Sequence, residues 1–206
     1  MRRGTLIVIE GLDGSGKTTH AYLLKNNLQK IGYNSEYTRE PSSGKIGRFI
    51  QNIILYEENM PQPTVEALLF AADRIDHVKN FVEPRLHDGK IVISDRYVYS
   101  SLAYQGARGI NLEWLRRINE FAPKPDIGFY IDVPPEVALS RKRGVKSIFE
   151  KLEFQIKVRN IYLEFVKTKE LILINGDCPI NQVQEELVTK AVSLLKDLYG
   201  SKLSNN

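Results

Sequence analysis

Gly11, Gly16, Lys17 and Thr18, within GLDGSGKT at residues 11–18, meet the spacing GxxxxGK followed by Ser or Thr without a gap. Backbone N–H groups in such a turn, with those of the helix it opens, form a nest for anions. Gly14 and Gly16 allow backbone conformations and close approaches closed to other residues. A lysine at position 17 reaches the β- and γ-phosphates, and a threonine hydroxyl at 18 ligates Mg2+. Gly11, Leu12, Asp13, Gly14, Ser15, Gly16, Lys17, Thr18 and Thr19 are therefore assigned to a nucleoside triphosphate. Asp13 is out of place in that company, because a carboxylate repels the anion the loop is built to hold.

A phosphate loop needs a strand before it and a helix after it, and the chain supplies both. Candidate strands are TLIVIE (5–10), SEYTR (35–39), KIVISD (90–95), IGFYID (127–132) and ELILI (170–174). Several are nearly continuous in apolar residues, as parallel strands covered on both faces are. Stretches with helical spacing separate them, at 64–86, 134–143, 151–168 and 180–198. The alternation predicts one α/β domain over 1–206, with a parallel sheet and right-handed crossovers. Ligands in such folds bind at the carboxyl ends of strands. The loop follows the first strand, Arg39-Glu40-Pro41 the second, and Asp95-Arg96-Tyr97 the third.

The bulk properties bound the function. The 206 residues are 42% hydrophobic and 26% charged, with a net charge of +4. The basic residues are scattered, which favours small phosphorylated ligands over a nucleic acid. A single cysteine, Cys178, allows no internal disulfide and fits a cytoplasmic setting. The opening MRRGTLIVIEG is too short for a membrane span or a signal-peptide core. No NKxD segment for reading guanine is present, which leaves a small phosphotransferase as the favoured class.

A kinase also needs an acceptor site. TREPSSGKIGRFI (38–50), LLFAADR (68–74) and SDRYVYSSLAYQG (94–106) supply Arg39, Arg48, Arg74 and Arg96, with Phe70, Tyr97, Ser100, Tyr104 and Gln105. Guanidinium forks suit a monophosphate, aromatic faces stack on bases, and an amide reads a base edge.

With IEGLDGSGKTT, PKPDIGFYIDVPPEVAL and VRNIYLEF, these stretches make the whole chain resemble the thymidylate kinase family. The resemblance implies a three-layer P-loop kinase fold, a five-stranded parallel sheet flanked by helices on both faces, and a small mobile lid near 140–151. It implies phosphoryl transfer from ATP to dTMP with Mg2+, Thr18 and Asp95 lying at the metal. By the same resemblance Phe70 stacks on thymine, Arg74 donates to a base carbonyl, Gln105 contacts the base edge and Tyr104 crowds the sugar 2′ position. Arg39 and Arg96 hold the acceptor phosphate. Asp13 then faces the acceptor sugar, with Arg39 sharing its charge. Lys17 and Arg96, joined by Arg141 and Arg143 of the lid, are expected to stabilise the transferred group. A homodimer, built through helices such as 64–86, is expected too.

The chain also departs from the family pattern. Gly14 stands where one branch carries a basic residue, Ser42-Ser43-Gly44 where a glycine pair is common, and Ser147-Ile148 where many members carry Asp-Arg. His20, His77 and His87 have no metal-ligand spacing and read as surface or packing residues, as does Trp114. Arg159 and Tyr162 read as braces for the lid helix.

Overall fold

The computed structural model describes residues 3–54, 61–141 and 152–200. Five strands form one wholly parallel sheet: β1 (Thr5–Gly11), β2 (Ser35–Arg39), β3 (Ile91–Asp95), β4 (Ile127–Asp132) and β5 (Ile172–Asn175), in the order β2-β3-β1-β4-β5. All seven residues of β1 are buried, because this central strand has neighbours on both edges and helices on both faces. The predicted bounds of β2 and β4 match the structure, and the other three strands shift by one or two residues.

Helices connect the strands and cover the sheet. In chain order they are α1 (Lys17–Lys30), α2 (Lys45–Ile54), α3 (Pro63–His77), α4 (Glu83–His87), α5 (Val98–Ala107), α6 (Leu112–Ile118), α7 (Pro135–Ser140), α8 (Leu152–Lys167) and α9 (Ile180–Gly200). The core runs from Leu6, Ile7, Val8 and Ile9 of β1 to Leu24 and Leu28 of α1 and Leu187 and Leu195 of α9. On the other face it takes in Leu102 of α5 and Tyr162 and Phe165 of α8. The α/β expectation is met, and the sheet brings Gly11, Arg39, Asp95 and Asp132 to one end.

Two local departures have physical causes. The segment expected as one helix over 64–86 is broken by a π-helical turn at Val78–Val82, between α3 and α4. Pro84 follows that turn and has no N–H for the carbonyl one turn back, so the wider register absorbs the missing bond. The second is α2, to which the sequence analysis assigns no element. Its approach is pinned by Ser42, whose N–H and hydroxyl both donate to Asp73 of α3, at 2.7 and 2.6 Å. That clamp is a structural use for a serine at a position where the family often has glycine.

Gly14 is held against α7. Its φ is 87°, and a Cβ there would sit 2.0 Å from the carbonyl oxygen of Ala138. A basic side chain at 14 has no room unless α7 withdraws, which accounts for this departure too. Gly14→Ala is expected to lower both the melting temperature and the affinity for ATP. Thermal unfolding with and without nucleotide checks it, and an unchanged melting temperature would refute the close-approach argument.

Candidate active site

The phosphate loop joins β1 to α1 and ends on Gly16, in the left-handed region at φ 84°, as the residue capping α1. A hydrogen bond from Ser15 N to Leu12 O closes the turn at 3.1 Å. Lys17 is buried, and its Nζ donates to Leu12 O and to Asp13 Oδ1, both at 3.2 Å. Burial and the nearby Arg96 push its pKa down, while Asp13 and Asp95 pull the other way.

A cleft of about 460 Å³ opens at the carboxyl ends of β1, β2 and β3. Asp13, Lys17, Thr18, Arg39, Phe70, Arg74, Asp95, Arg96, Ser100, Tyr104 and Gln105 all line it. All the residues that the family resemblance assigns to the acceptor, and both assigned to the metal, therefore line one space, although strands, helices and two loops carry them. Arg48 is not among the lining residues; its Nη1 donates to Ser43 O at 2.7 Å.

Asp13 joins the two halves. Its carboxylate pairs with Arg96 as well as with Lys17, and its N–H donates to the Tyr104 hydroxyl at 3.1 Å. Lys17 and Arg96 are among the charges beside Asp13, and Arg39, expected to share its charge, lines the same cleft from the end of β2. Burial and the Asp13 charge push the Tyr104 phenol up to about 12, so it remains a neutral hydroxyl. The Arg96 guanidinium also stacks over the Tyr104 ring, 4.9 Å from its centre.

Arg74 is 2% exposed and heavily committed to the protein. Nε donates to Glu40 at 2.8 Å, Nη1 to Asn119, and Nη2 to Tyr97 O at 3.2 Å and Ser101 Oγ at 3.1 Å. A guanidinium has five N–H donors, so one, on Nη1, is left without a partner among the described residues. Glu40 also receives His77 Nδ1 at 3.1 Å, and His77 Nε2 meets Thr38 Oγ1 at 2.6 Å. That confirms His77 as a packing residue; His20 likewise bonds Gln184.

Thr18 and Asp95 touch, with 2.5 Å between Thr18 Oγ1 and Asp95 Oδ2. Asp95 Oδ1 is buried and has no hydrogen-bond partner among the described residues. Two oxygens side by side and a third left open suit a hard cation such as Mg2+. Among the described residues no group of three or more His, Cys, Asp or Glu could hold a metal on its own, so such an ion would draw its other ligands from phosphate and water.

Arg141, the lid arginine within the described residues, is not among those lining the cleft. Arg141 caps the end of α7 and faces Gly176 O at 3.5 Å and Asp177 at 3.3 Å. Burial, with this guanidinium nearby, pushes the pKa of the His20 imidazole down. Arg143 and the rest of the lid segment from 142 to 151 lie outside the described residues. Arg159 binds Asp132 with two bonds of 2.8 Å, and Tyr162 stacks on Tyr130 at 4.7 Å, so both brace α8 against β4.

Beneath the site lies a group that no motif in the sequence marks. Glu10, near the end of β1, is 0% exposed. It accepts from Tyr97 N at 2.9 Å, Ser100 Oγ at 2.6 Å and Tyr162 OH at 3.0 Å. Ser100 Oγ in turn accepts from Arg96 Nη1 at 2.9 Å. The signal was a carboxylate inside a fully buried strand, which needs partners. Glu40, Asn119 and Glu66 were missed for a different reason, since each reads as an ordinary polar position.

Burial pushes the Glu10 carboxyl up to about 7, against its hydrogen bonds and the Arg96 charge. The folded value lies above the usual 4.5, so the folded chain binds the proton more tightly. The stability from this site is full below pH 4.5 and is lost as pH rises through about 7. Glu10→Gln, neutral at every pH, is expected to flatten stability across that window. Denaturant titrations at both ends check it, and a constant difference between variant and wild type would refute it.

Comparison with known proteins agrees with this geometry. The family model for thymidylate kinase matches residues 9–187. A probable thymidylate kinase of Pyrobaculum aerophilum is 49% identical over 198 residues, covering 95% of this chain and 98% of that protein. One of Pyrococcus abyssi is 45% identical over 194 residues, covering 90% and 95%. The thymidylate kinase of Caldanaerobacter subterraneus is 42% identical over 210 residues, covering 98% and 100%. With that extent of match, the chain belongs to the thymidylate kinase family.

Proposed function

We propose that this chain transfers the γ-phosphoryl group of ATP to dTMP, giving ADP and dTDP on the way to dTTP. The observation that carries the reading is the Asp13–Arg96 pair, which fastens the loop for the donor to the pocket for the acceptor. Catalysis in phosphoryl transfer is mostly positioning and charge. Lys17 supplies a cation to the β- and γ-phosphates, with Gly11 to Thr19 as the cradle. Arg39 and Arg96 hold the acceptor phosphate in line. Phe70 stacks on thymine, the open Nη1 donor of Arg74 meets a base carbonyl, and Tyr104 crowds the sugar beside Asp13, which accepts from its hydroxyl. Ser100 steadies Arg96 from below. No general base is required, because the acceptor phosphate is already an anion.

Thr18 and Asp95 would hold Mg2+, which when bound neutralises phosphate charge. The reading treats 1–206 as one domain with a lid at 140–151, in which Arg141 and Arg143 bring further charge to the moving group. It also takes the chain as a cytoplasmic homodimer. Val65, Leu68 and Ile75 on α3 and Phe49 on α2 leave large apolar side chains about half exposed, and covering them favours association. Among the described residues no helix is long and apolar enough to cross a membrane.

An ADP-release assay with ATP and a panel of dTMP, dUMP, dCMP, AMP and thymidine tests the assignment. dTMP is expected to dominate and thymidine to be inert. Preference for thymidine or for another monophosphate would overturn it. Asp95→Asn is expected to raise the Mg2+ concentration needed for half-maximal rate by about tenfold, as losing a supporting carboxylate does. A metal titration of variant and wild type checks this, and superimposable curves would remove Asp95 from the metal site.

A further inference from the structure

Gln105 lines the cleft with one polar atom unused. The residue is 2% exposed, Nε2 donates to Glu66 Oε1 at 2.7 Å, and Oε1 is buried without a partner among the described residues. An ionised carboxylate only accepts hydrogen bonds, so Glu66 fixes which end of the amide turns toward it. The NH2 end goes to Glu66 and the carbonyl end is left for the cleft. Burial pushes the Glu66 carboxyl up, while the hydrogen bond from Gln105 and the Arg108 guanidinium, whose Nη1 pairs with the other Glu66 oxygen, pull toward the ionised form that accepts from both.

We infer that Glu66 is a specificity-determining positioning residue, holding Gln105 as a pure acceptor beside the pure donor of Arg74 so that the cleft selects an imide edge. This deepens the dTMP reading and rests on it. Thymine presents a carbonyl next to a ring N–H, an acceptor beside a donor. Arg74 answers the first and Gln105 Oε1 the second. Cytosine inverts both: its amino group confronts the Arg74 N–H, and its bare ring nitrogen confronts the Gln105 oxygen. Mismatched buried polar groups are a stronger basis for rejection than size. Uracil has the same edge as thymine, so this lock is blind to the methyl group. Without Glu66, the amide is free to turn over and present its NH2 end.

The test uses the full chain with E66Q and the exchanged pair E66Q/Q105E. In E66Q either end of the Gln105 amide can face residue 66. In the exchanged pair the amide introduced at position 66 donates to the carboxylate introduced at position 105. That carboxylate again turns an oxygen to the cleft, while Arg108 keeps an acceptor. E66Q is expected to raise KM for dTMP and dUMP alike by about tenfold, the worth of one net hydrogen bond. It should leave KM for ATP unchanged and narrow the preference for dTMP over dCMP. The exchanged pair should recover most of that preference. Unchanged selectivity in E66Q, or a KM increase shared by ATP, overturns the inference. So does an exchanged pair that melts like wild type yet stays unselective. A wild-type enzyme with no preference for dTMP would overturn the functional reading and this inference with it, whereas a preference that survives E66Q overturns the inference alone.

Discussion

A carboxylate sealed from water near the end of the central strand organises the site. Glu10 gathers the backbone of Tyr97, the hydroxyl of Ser100 and the hydroxyl of Tyr162, and so ties β1 to α5, α8 and the turn after β3. Arg96 lies in that turn with φ 72°, a left-handed conformation uncommon for a residue with a side chain. It is held there from both ends, since its own N–H donates to Ile9 O and the next N–H donates to Glu10. The conformation costs on the order of 1–3 kcal/mol and persists because its surroundings over-determine it. What it gains is direction: the guanidinium leaves the sheet edge toward Asp13 and the phosphate loop.

The acidic residue in the loop is then explained by its neighbours. Alone, Asp13 would weaken an anion site. Flanked by Lys17 and Arg96 it bridges two cations that would otherwise repel each other, offsetting one of their two charges. The same pattern recurs elsewhere in the cleft. Glu40 holds Arg74 and His77, and Glu66 holds Gln105 and Arg108, so the two polar groups assigned to the base are each fixed by a carboxylate.

Much of this was legible in the chain. The phosphate loop follows from local spacing, and β2 and β4 from composition, because backbone and burial act over a few residues. The cleft residues were readable through the family pattern, and the cleft gathers them. The backing residues were not. Glu10 and Tyr97 are 87 positions apart, and Arg74 and Asn119 are 45 apart. No periodicity records such a pairing: Glu66 in a helix has the same pattern as any solvated glutamate. The π turn before Pro84 was hidden for a related reason, since Val78 and Val82 keep an apolar spacing whether or not the register widens.

The way Arg74 is held has a consequence for how the protein discriminates. A free arginine side chain explores many rotamers, and freezing it on a ligand costs about 2 kcal/mol. Here four of its five N–H groups are engaged before any ligand arrives, so that cost is met when the chain folds. The arginine is part of the wall, not an arm that reaches for the base. A rigid donor gives full value to a molecule that places an acceptor in its path and cannot adjust to one that does not. Selectivity on this surface therefore comes from stiffness set at folding, and compounds built to compete for the cleft must match its geometry because it will not yield to theirs.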